Sequence, residues 1–257
     1  MMCRFILSPL ESTLNRFAEG KLVDSAIVSS FLVNQQPKIE SLNDFVFVHR
    51  LVSSHRVELF PELRQYLAAT TESLSIADMS SKGLSVVIST VADSGFNLEF
   101  LRACVTEIAN REHVELHPRI IARICKGVSA LAKVDMSVDD HVIEFLKTAL
   151  AELDWADMKP KDLIQIISLA SVHGGLVSGT LINRVTVLAP FFTDAEAHVA
   201  VNLLGSLPDA EEAVTAVKEN LIRTKSARNK AFKIKQPGLP EAPRAPHFQY
   251  VRKIDLR

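Results

Sequence analysis

The strongest constraint on the fold is a pattern that returns along the chain at a nearly constant interval. The phrase EFLRACVTEIA begins at Glu99, and the similar phrase EFLKTALAEL begins at Glu144. In both, apolar residues recur every three or four positions, which is the period of a helix with one buried face. Four other helical segments resemble one another and end near Val52, Ala92, Ala132 and Ala170, at intervals of 40, 40 and 38 residues.

Each segment of this set is followed by a polar or glycine-containing turn and then by a second amphipathic helix. The turns at residues 93–95 and 173–175 contain glycine. The predicted second helices contain ELRQYLAA, EFLRACVTEIA, EFLKTALAEL and LINRVTVLAPF. The two EFL phrases are 45 residues apart because the turn after Ala132 is longer than the others. A helix pair cannot bury its apolar face alone, so neighbouring pairs are predicted to stack.

The sequence therefore predicts an all-α fold built as a right-handed solenoid of helix pairs over residues 42–220. N-terminal capping helices are predicted over residues 1–41, and an extended, basic, proline-rich arm over residues 221–257. Alternation over a strand length is scarce, and no NG or DG hairpin turn links two apolar runs. An irregular helical bundle is the alternative, because helices of ordinary length joined by short turns recur near this period anyway.

The net charge of −1 conceals a division between an acidic body and a basic C-terminal segment. From Arg223 to Arg257 there are ten basic and two acidic residues, which leaves 19 basic and 28 acidic residues in the rest of the chain. Four prolines spaced by three residues match the period of polyproline II. This division suggests that the arm meets a polyanion or an acidic protein surface.

Basic residues of the predicted arm are interleaved with aromatic and aliphatic residues. Basic side chains neutralise phosphates, and aromatic rings stack on exposed bases, so we expect the arm to contact RNA or an RNA-bound protein. A solubilising tail or a protein-docking arm is the alternative. The predicted contact residues of the arm are Arg223, Lys225, Arg228, Lys230, Lys233, Lys235, Arg244, Tyr250, Arg252 and Lys253.

A second basic stripe lies in the body. Arg119, Arg123 and Lys126 are spaced as i, i+4 and i+7 on the first helix of one unit, opposite its aliphatic face. In helical-repeat proteins this helix can line a groove, where basic side chains meet phosphates; a solvated polar face is the alternative. The stripe does not recur 40 residues earlier, which argues against reading one base per repeat; those positions hold Met79, Gly83 and Val86.

No catalytic signature is found in the sequence. Phosphate loops, dinucleotide fingerprints and nucleophile elbows are missing. His113 and His117 are four residues apart, but Glu115 stands in the wrong place for a zinc-binding HExxH helix, and Pro118 indicates a helix boundary. The sequence therefore predicts a protein without enzymatic activity, cofactor, metal site or small-molecule substrate.

The remaining features concern the cellular compartment. None of Cys3, Cys104 and Cys125 belongs to a CxxC pair, so buried free thiols in a reducing compartment are predicted. No run of 18 uncharged apolar residues occurs, and we expect no contact with a membrane. The segment MMCRFILSPLESTLNRF fits either a short organellar presequence or an ordinary first helix.

A two-helix unit of this length, with small residues at its helix ends as in VSALAKV and ISLASVHGG, resembles organellar helical-repeat proteins. The similar families are the octotricopeptide-type repeats and the repeats of FAST-kinase-like mitochondrial proteins, and the resemblance covers residues 42–192. Those families often end in a nuclease-like domain, whereas this chain ends in a basic arm that looks like the extensions of ribosomal proteins.

The resemblance implies a non-catalytic accessory subunit of a mitochondrial ribonucleoprotein, either the mitochondrial ribosome or an RNA-processing complex. Its expected partners are RNA and neighbouring protein subunits. The alternative is a protein-only adaptor whose groove binds a peptide or a helix, and the alternative location is the cytoplasm.

Overall fold

The computed structural model describes residues 25–54, 57–112, 114 and 117–233; of Ile27 and residues 225–233 it describes the backbone alone. Over these ranges the chain forms eleven α-helices, two short 3₁₀ helices (Gly174–Leu176 and Ala189–Phe191) and no strand, so the all-α prediction is confirmed. The α-helices are α1 (Ser25–Gln35), α2 (Leu42–Ser54), α3 (Pro61–Glu72), α4 (Ser81–Ser94), α5 (Leu98–Ala109), α6 (Pro118–Ala132), α7 (Asp140–Glu152), α8 (Pro160–Ala170), α9 (Gly179–Leu188), α10 (Asp194–Leu204) and α11 (Glu211–Lys233).

Local signals set the ends of the central helices. The Ser80 hydroxyl accepts a hydrogen bond from the Gly83 amide and caps the N-terminus of α4, while Gly95 ends this helix at a φ of 63°. Proline stands at the first position of α6 and of α8, where its missing N–H costs no helical hydrogen bond. The ends of α2, α4, α6 and α8 lie within two residues of the predicted positions.

Alternate helices of the chain pack into one continuous row. The first row consists of α2, α4, α6, α8 and α10, each of which packs on the next. The intervening helices α3, α5, α7, α9 and α11 are called the second row; among them, α5 packs on α7 and α9 packs on α11. The helix α1 precedes the first pair and packs on α2 and α3.

Burial differs between the rows in the middle of the chain. Ten of the fifteen residues of α6 and eight of the eleven residues of α8 are buried. Only four residues of α5 and four of α7 are buried, which leaves most of each second-row helix at the surface. The helices α6 and α8 therefore lie between neighbours on several sides, and only a narrow strip of each reaches solvent.

Neighbouring first-row helices contact one another in a nearly constant register. Arg123 donates to the Ser85 hydroxyl at 3.3 Å, and Lys126 donates to the Ser89 hydroxyl at 3.3 Å. The buried hydroxyls of Ser129 and Ser168 are 2.9 Å apart. These three contacts join residues 38, 37 and 39 positions apart, close to the intervals seen in the sequence.

The predicted start of an extended arm at residue 221 is wrong, because α11 continues to Lys233. Leu221 is buried, and the Thr224 hydroxyl donates to the Asp194 carboxylate at 3.1 Å. The apolar spacing that runs through Ala213 and Val217 reaches Leu221, so the core holds the helix beyond the predicted boundary. Residues 234–257 of the predicted arm, and residues 1–24 of the predicted N-terminal helices, lie outside the described residues.

A buried histidine joins α2, α3 and α4. The Nδ1 atom of His49 lies 3.3 Å from the Ser94 hydroxyl, and its Nε2 atom lies 3.4 Å from the Thr70 hydroxyl. Its ring packs against Phe45 with 4.2 Å between ring centroids. Burial disfavours the charged imidazolium and lowers the pKa of His49 to about 4.

We predict that His49 makes the stability of the fold depend on pH. The unfolded chain binds this proton below pH 6.5, whereas the folded chain resists it down to about pH 4. The free energy of unfolding should therefore fall by up to about 3 kcal/mol as the pH drops through this window. Urea denaturation of the wild type and of His49→Gln at a series of pH values measures the effect. The His49→Gln variant should be less stable at neutral pH but should lack this fall in stability. An unchanged pH profile in this variant would contradict the prediction. His141→Gln, at an exposed histidine, is the control.

We also predict that a side chain at Gly127 would destabilise the packing of α4 against α6. A Cβ atom there would overlap the Ile88 side chain and lie 3.3 Å from Val105. Gly127→Ala should destabilise the fold by about 1–3 kcal/mol, which urea denaturation measures. Combined with Ile88→Ala it should cost less than the sum of the two single changes. Gly205→Ala, whose new atom makes ordinary contacts at 3.5 Å, is the control, and equal effects at both glycines would disprove the steric explanation.

Candidate anion-binding cleft

Side chains from four consecutive first-row helices line one cleft of about 200 Å³. The register of the row places residues that are distant in sequence on the same face. The charged residues of the cleft are five cations and two carboxylates: Arg50 from α2, Asp93 from α4, Arg119, Arg123 and Lys126 from α6, and Lys161 and Asp162 from α8. We call this surface the cationic cleft.

The cations of α6 occupy the only strip of that helix that reaches the surface. Every residue of α6 is buried except five, and three of these five are Arg119, Arg123 and Lys126. The helix α8 is similar, since Lys161 and Gln165 are two of its three residues that are not buried. The two most buried helices of the row therefore present mainly polar and positively charged groups to solvent.

Two of the cations are held by neighbouring groups. The Nζ atom of Lys126 lies 2.5 Å from the Asp93 carboxylate and also donates to the Ser89 hydroxyl. Arg123 donates to the Ser85 hydroxyl across the α4–α6 contact. These partners fix the positions of the two side chains before any ligand arrives.

The other three cations are exposed and available. The side chains of Arg50, Arg119 and Lys161 have no hydrogen-bond or ion-pair partner among the residues that the structure describes. Among the described residues, none therefore competes with an entering anion for these donors.

The electrostatic environment of Arg123 shows how crowded the cations are. Burial, followed by the nearby charge of Arg119, lowers the pKa of Arg123, and Arg50 acts in the same direction. The buried carboxylate of Asp162 opposes these effects by raising the pKa. Because an arginine stays charged at neutral pH even so, the cleft carries more positive charge than its own carboxylates balance.

Some of the residues that line this cleft were predicted from the sequence, and others were not. Arg119, Arg123 and Lys126 were predicted as contact residues, and the structure brings all three together. Arg50 and Lys161 were missed, although Lys161 lies 38 positions after Arg123, which is the separation of the Arg123–Ser85 contact. A search of the sequence at that interval, in both directions, would have found Lys161.

The predicted contact residues of the C-terminal segment lie elsewhere. Arg223 is exposed on α11, 3.8 Å from Glu219, and does not line the cationic cleft. The backbones of Lys225, Arg228, Lys230 and Lys233 lie on α11, but their side chains are not described. The other predicted residues lie outside the described part of the chain: Lys235, Arg244, Tyr250, Arg252 and Lys253.

Other reactive residue types have structural roles. The Nδ1 atom of His117 accepts a hydrogen bond from the Arg119 amide and caps α6, while His113 and Glu115 lie outside the described residues. Within the described ranges no group of three or more His, Cys, Asp and Glu side chains could hold a metal ion. Cys104 and Cys125 are buried free thiols, as predicted, and burial raises the pKa of each to about 12. Cys3 is not among the described residues.

Comparisons with known proteins identify no relative of the chain. No family model, curated protein or solved structure matches the chain. In the part of the chain that the structure describes, no helix combines the length and the apolar character needed to cross a bilayer. The cationic cleft is therefore the feature on which a function can be proposed.

Proposed function

We propose that the chain is a non-catalytic, helical-repeat subunit of a ribonucleoprotein assembly and that its cationic cleft contacts RNA. In this proposal the two rows of helices form a right-handed solenoid, and the first row lines its binding face. Support comes from the hydrogen bonds that join first-row helices at separations of 37 to 39 residues. Solenoids of this kind use an extended face built from many units to bind their partners.

The observation that carries the proposal is the unbalanced charge of the cationic cleft. Arg50, Arg119 and Lys161 come from three different helices, face one cleft and have no described partner. A phosphodiester chain presents one negative charge per nucleotide, so it can meet several such cations at once. The half-buried Arg123, fixed by Ser85, adds a fourth charge at the base of the cleft.

The basic C-terminal segment is proposed as a second contact. Acidic residues occupy the start of α11, and basic residues follow from Arg223 onward. Thr224 and the buried Leu221 tie this helix to the body, so the basic residues begin on an ordered element. That the assembly is a mitochondrial ribosome or an RNA-processing complex is proposed from the sequence resemblance alone.

We predict that RNA crosslinked to the protein in its native cells is recovered with it and that the cationic cleft contributes to this yield. Replacing Arg50, Arg119 and Lys161 together with Gln should lower the RNA yield about tenfold, because three exposed charge contacts are worth about 0.5 kcal/mol each. The measurement is ultraviolet crosslinking, denaturing purification and sequencing of the bound RNA. A second variant removes the basic residues after Lys233 and should also recover less RNA. It keeps α11, because Leu221 and Thr224 contact the body.

The matched control removes three cations from the second row. Arg102, Lys147 and Lys218 are exposed on α5, α7 and α11, and their replacement with Gln removes the same total charge. This control should retain its RNA. Should no RNA crosslink to the wild type, and its partners stay bound after ribonuclease treatment, the chain is a protein-only adaptor and the proposal is wrong.

A further inference from the structure

We infer that the cationic cleft binds the phosphate backbone of RNA independently of base identity and that Asp93 acts as an internal counter-ion that weakens this binding. The inference rests on the proposed function and specifies its ligand class. It concerns a contact made by charge alone, in which one carboxylate of the protein competes with the phosphates of the ligand.

The lining of the cleft is charged and polar rather than aromatic. Its twelve described residues include no aromatic side chain, so no ring is available to stack on a base. The apolar members are the small residues Val86 and Ala122, and Gln165 is the single side-chain amide. Base-by-base readout needs recognition groups that recur from unit to unit, whereas the cations of the cleft do not recur in every unit, because α4 contributes none.

The cations define the size of the electrostatic effect. Three of them, Arg50, Arg119 and Lys161, are exposed and without a described partner. If each neutralises one phosphate of a single strand, they contribute about −2 to the slope of the logarithm of affinity against the logarithm of salt, since each phosphate contributes roughly −0.7.

Asp93 limits the number of cations that are available. Its carboxylate lies 2.5 Å from Lys126, lines the same cleft and is itself half exposed. A phosphate that approaches Lys126 must displace this carboxylate or remain beside a like charge. Asp93→Asn removes the competitor and leaves the shape of the side chain almost unchanged, so Lys126 becomes an additional contact.

The test measures binding of the full-length chain to fluorescently labelled oligouridylate, oligoadenylate and oligocytidylate of equal length. Fluorescence anisotropy is recorded at several salt concentrations. Since the basic C-terminal segment also binds RNA in the proposed function, the cleft is measured as the difference between the wild type and the variant in which Arg50, Arg119 and Lys161 are all Gln. This difference cancels the contribution of the segment.

For backbone recognition, the triple substitution should weaken all three oligonucleotides by the same factor, to within about threefold, and make the salt slope shallower by about 2. Asp93→Asn should strengthen binding several-fold and make the slope steeper by about 0.7. Asp135→Asn, which removes a negative charge outside the cleft at a backbone conformation that Asn adopts readily, is the matched control and should have little effect.

The opposite results overturn the inference in distinguishable ways. A triple substitution that weakens one oligonucleotide more than about tenfold beyond the others shows base readout, so the inference fails while the proposed function stands. Equal effects of Asp93→Asn and Asp135→Asn show that Asp93 is no specific competitor. If the wild type binds none of the oligonucleotides at low salt but binds an acidic or phosphorylated peptide, both the inference and the proposed function fail.

Discussion

The contact between α4, α6 and α8 is the constraint on which the rest of the molecule depends. Gly127 lets α6 approach α4 so closely that the Ile88 side chain fills the space of a missing methyl group. On the other side, the Ser129 and Ser168 hydroxyls meet without water between α6 and α8. This close packing buries most of both α6 and α8, and dispersion and apolar burial over such an interface are the main source of stability. The charged strip of each helix is what remains at the surface.

The location of the cleft follows from that packing. A helix buried on several sides has few positions at which a lysine or an arginine can keep its charged end in water. In α6 those positions are filled by Arg119, Arg123 and Lys126, and α2 and α8 add one cation each at the same face. Positive side chains are thereby brought together with too few carboxylates to neutralise them. Their mutual repulsion costs energy when no anion is bound. Groups that oppose folding in this way are typical of binding sites.

The positions of the helices could be predicted from the sequence because their signals are local. The spacing of apolar residues, the proline at the start of α6 and the glycine after α4 all act within a few residues. The extent of α11 could not be predicted in this way. The density of basic residues after Asn220 suggested an arm, but beyond Asn220 the buried Leu221 and the Thr224–Asp194 hydrogen bond still hold the helix to the body. Lys161 follows Arg123 at an interval of 38 residues, but the exact interval is set by the lateral register of the row. That register is a property of packing, and both Lys161 and Arg50 were missed for this reason.

An anion bound in the cationic cleft, as proposed, would also cross-link the helices that hold it. In an array where each unit contacts only its neighbours, units can open separately, beginning at the ends. In the proposed function, a ligand held by Arg50, Arg119 and Lys161 must be released before α2, α6 or α8 leaves the row. Ligand binding therefore raises the cooperativity of unfolding across the middle of the chain, by an amount that grows with ligand concentration. The fraction of clefts that is occupied and the resistance of the row to local opening therefore rise and fall together.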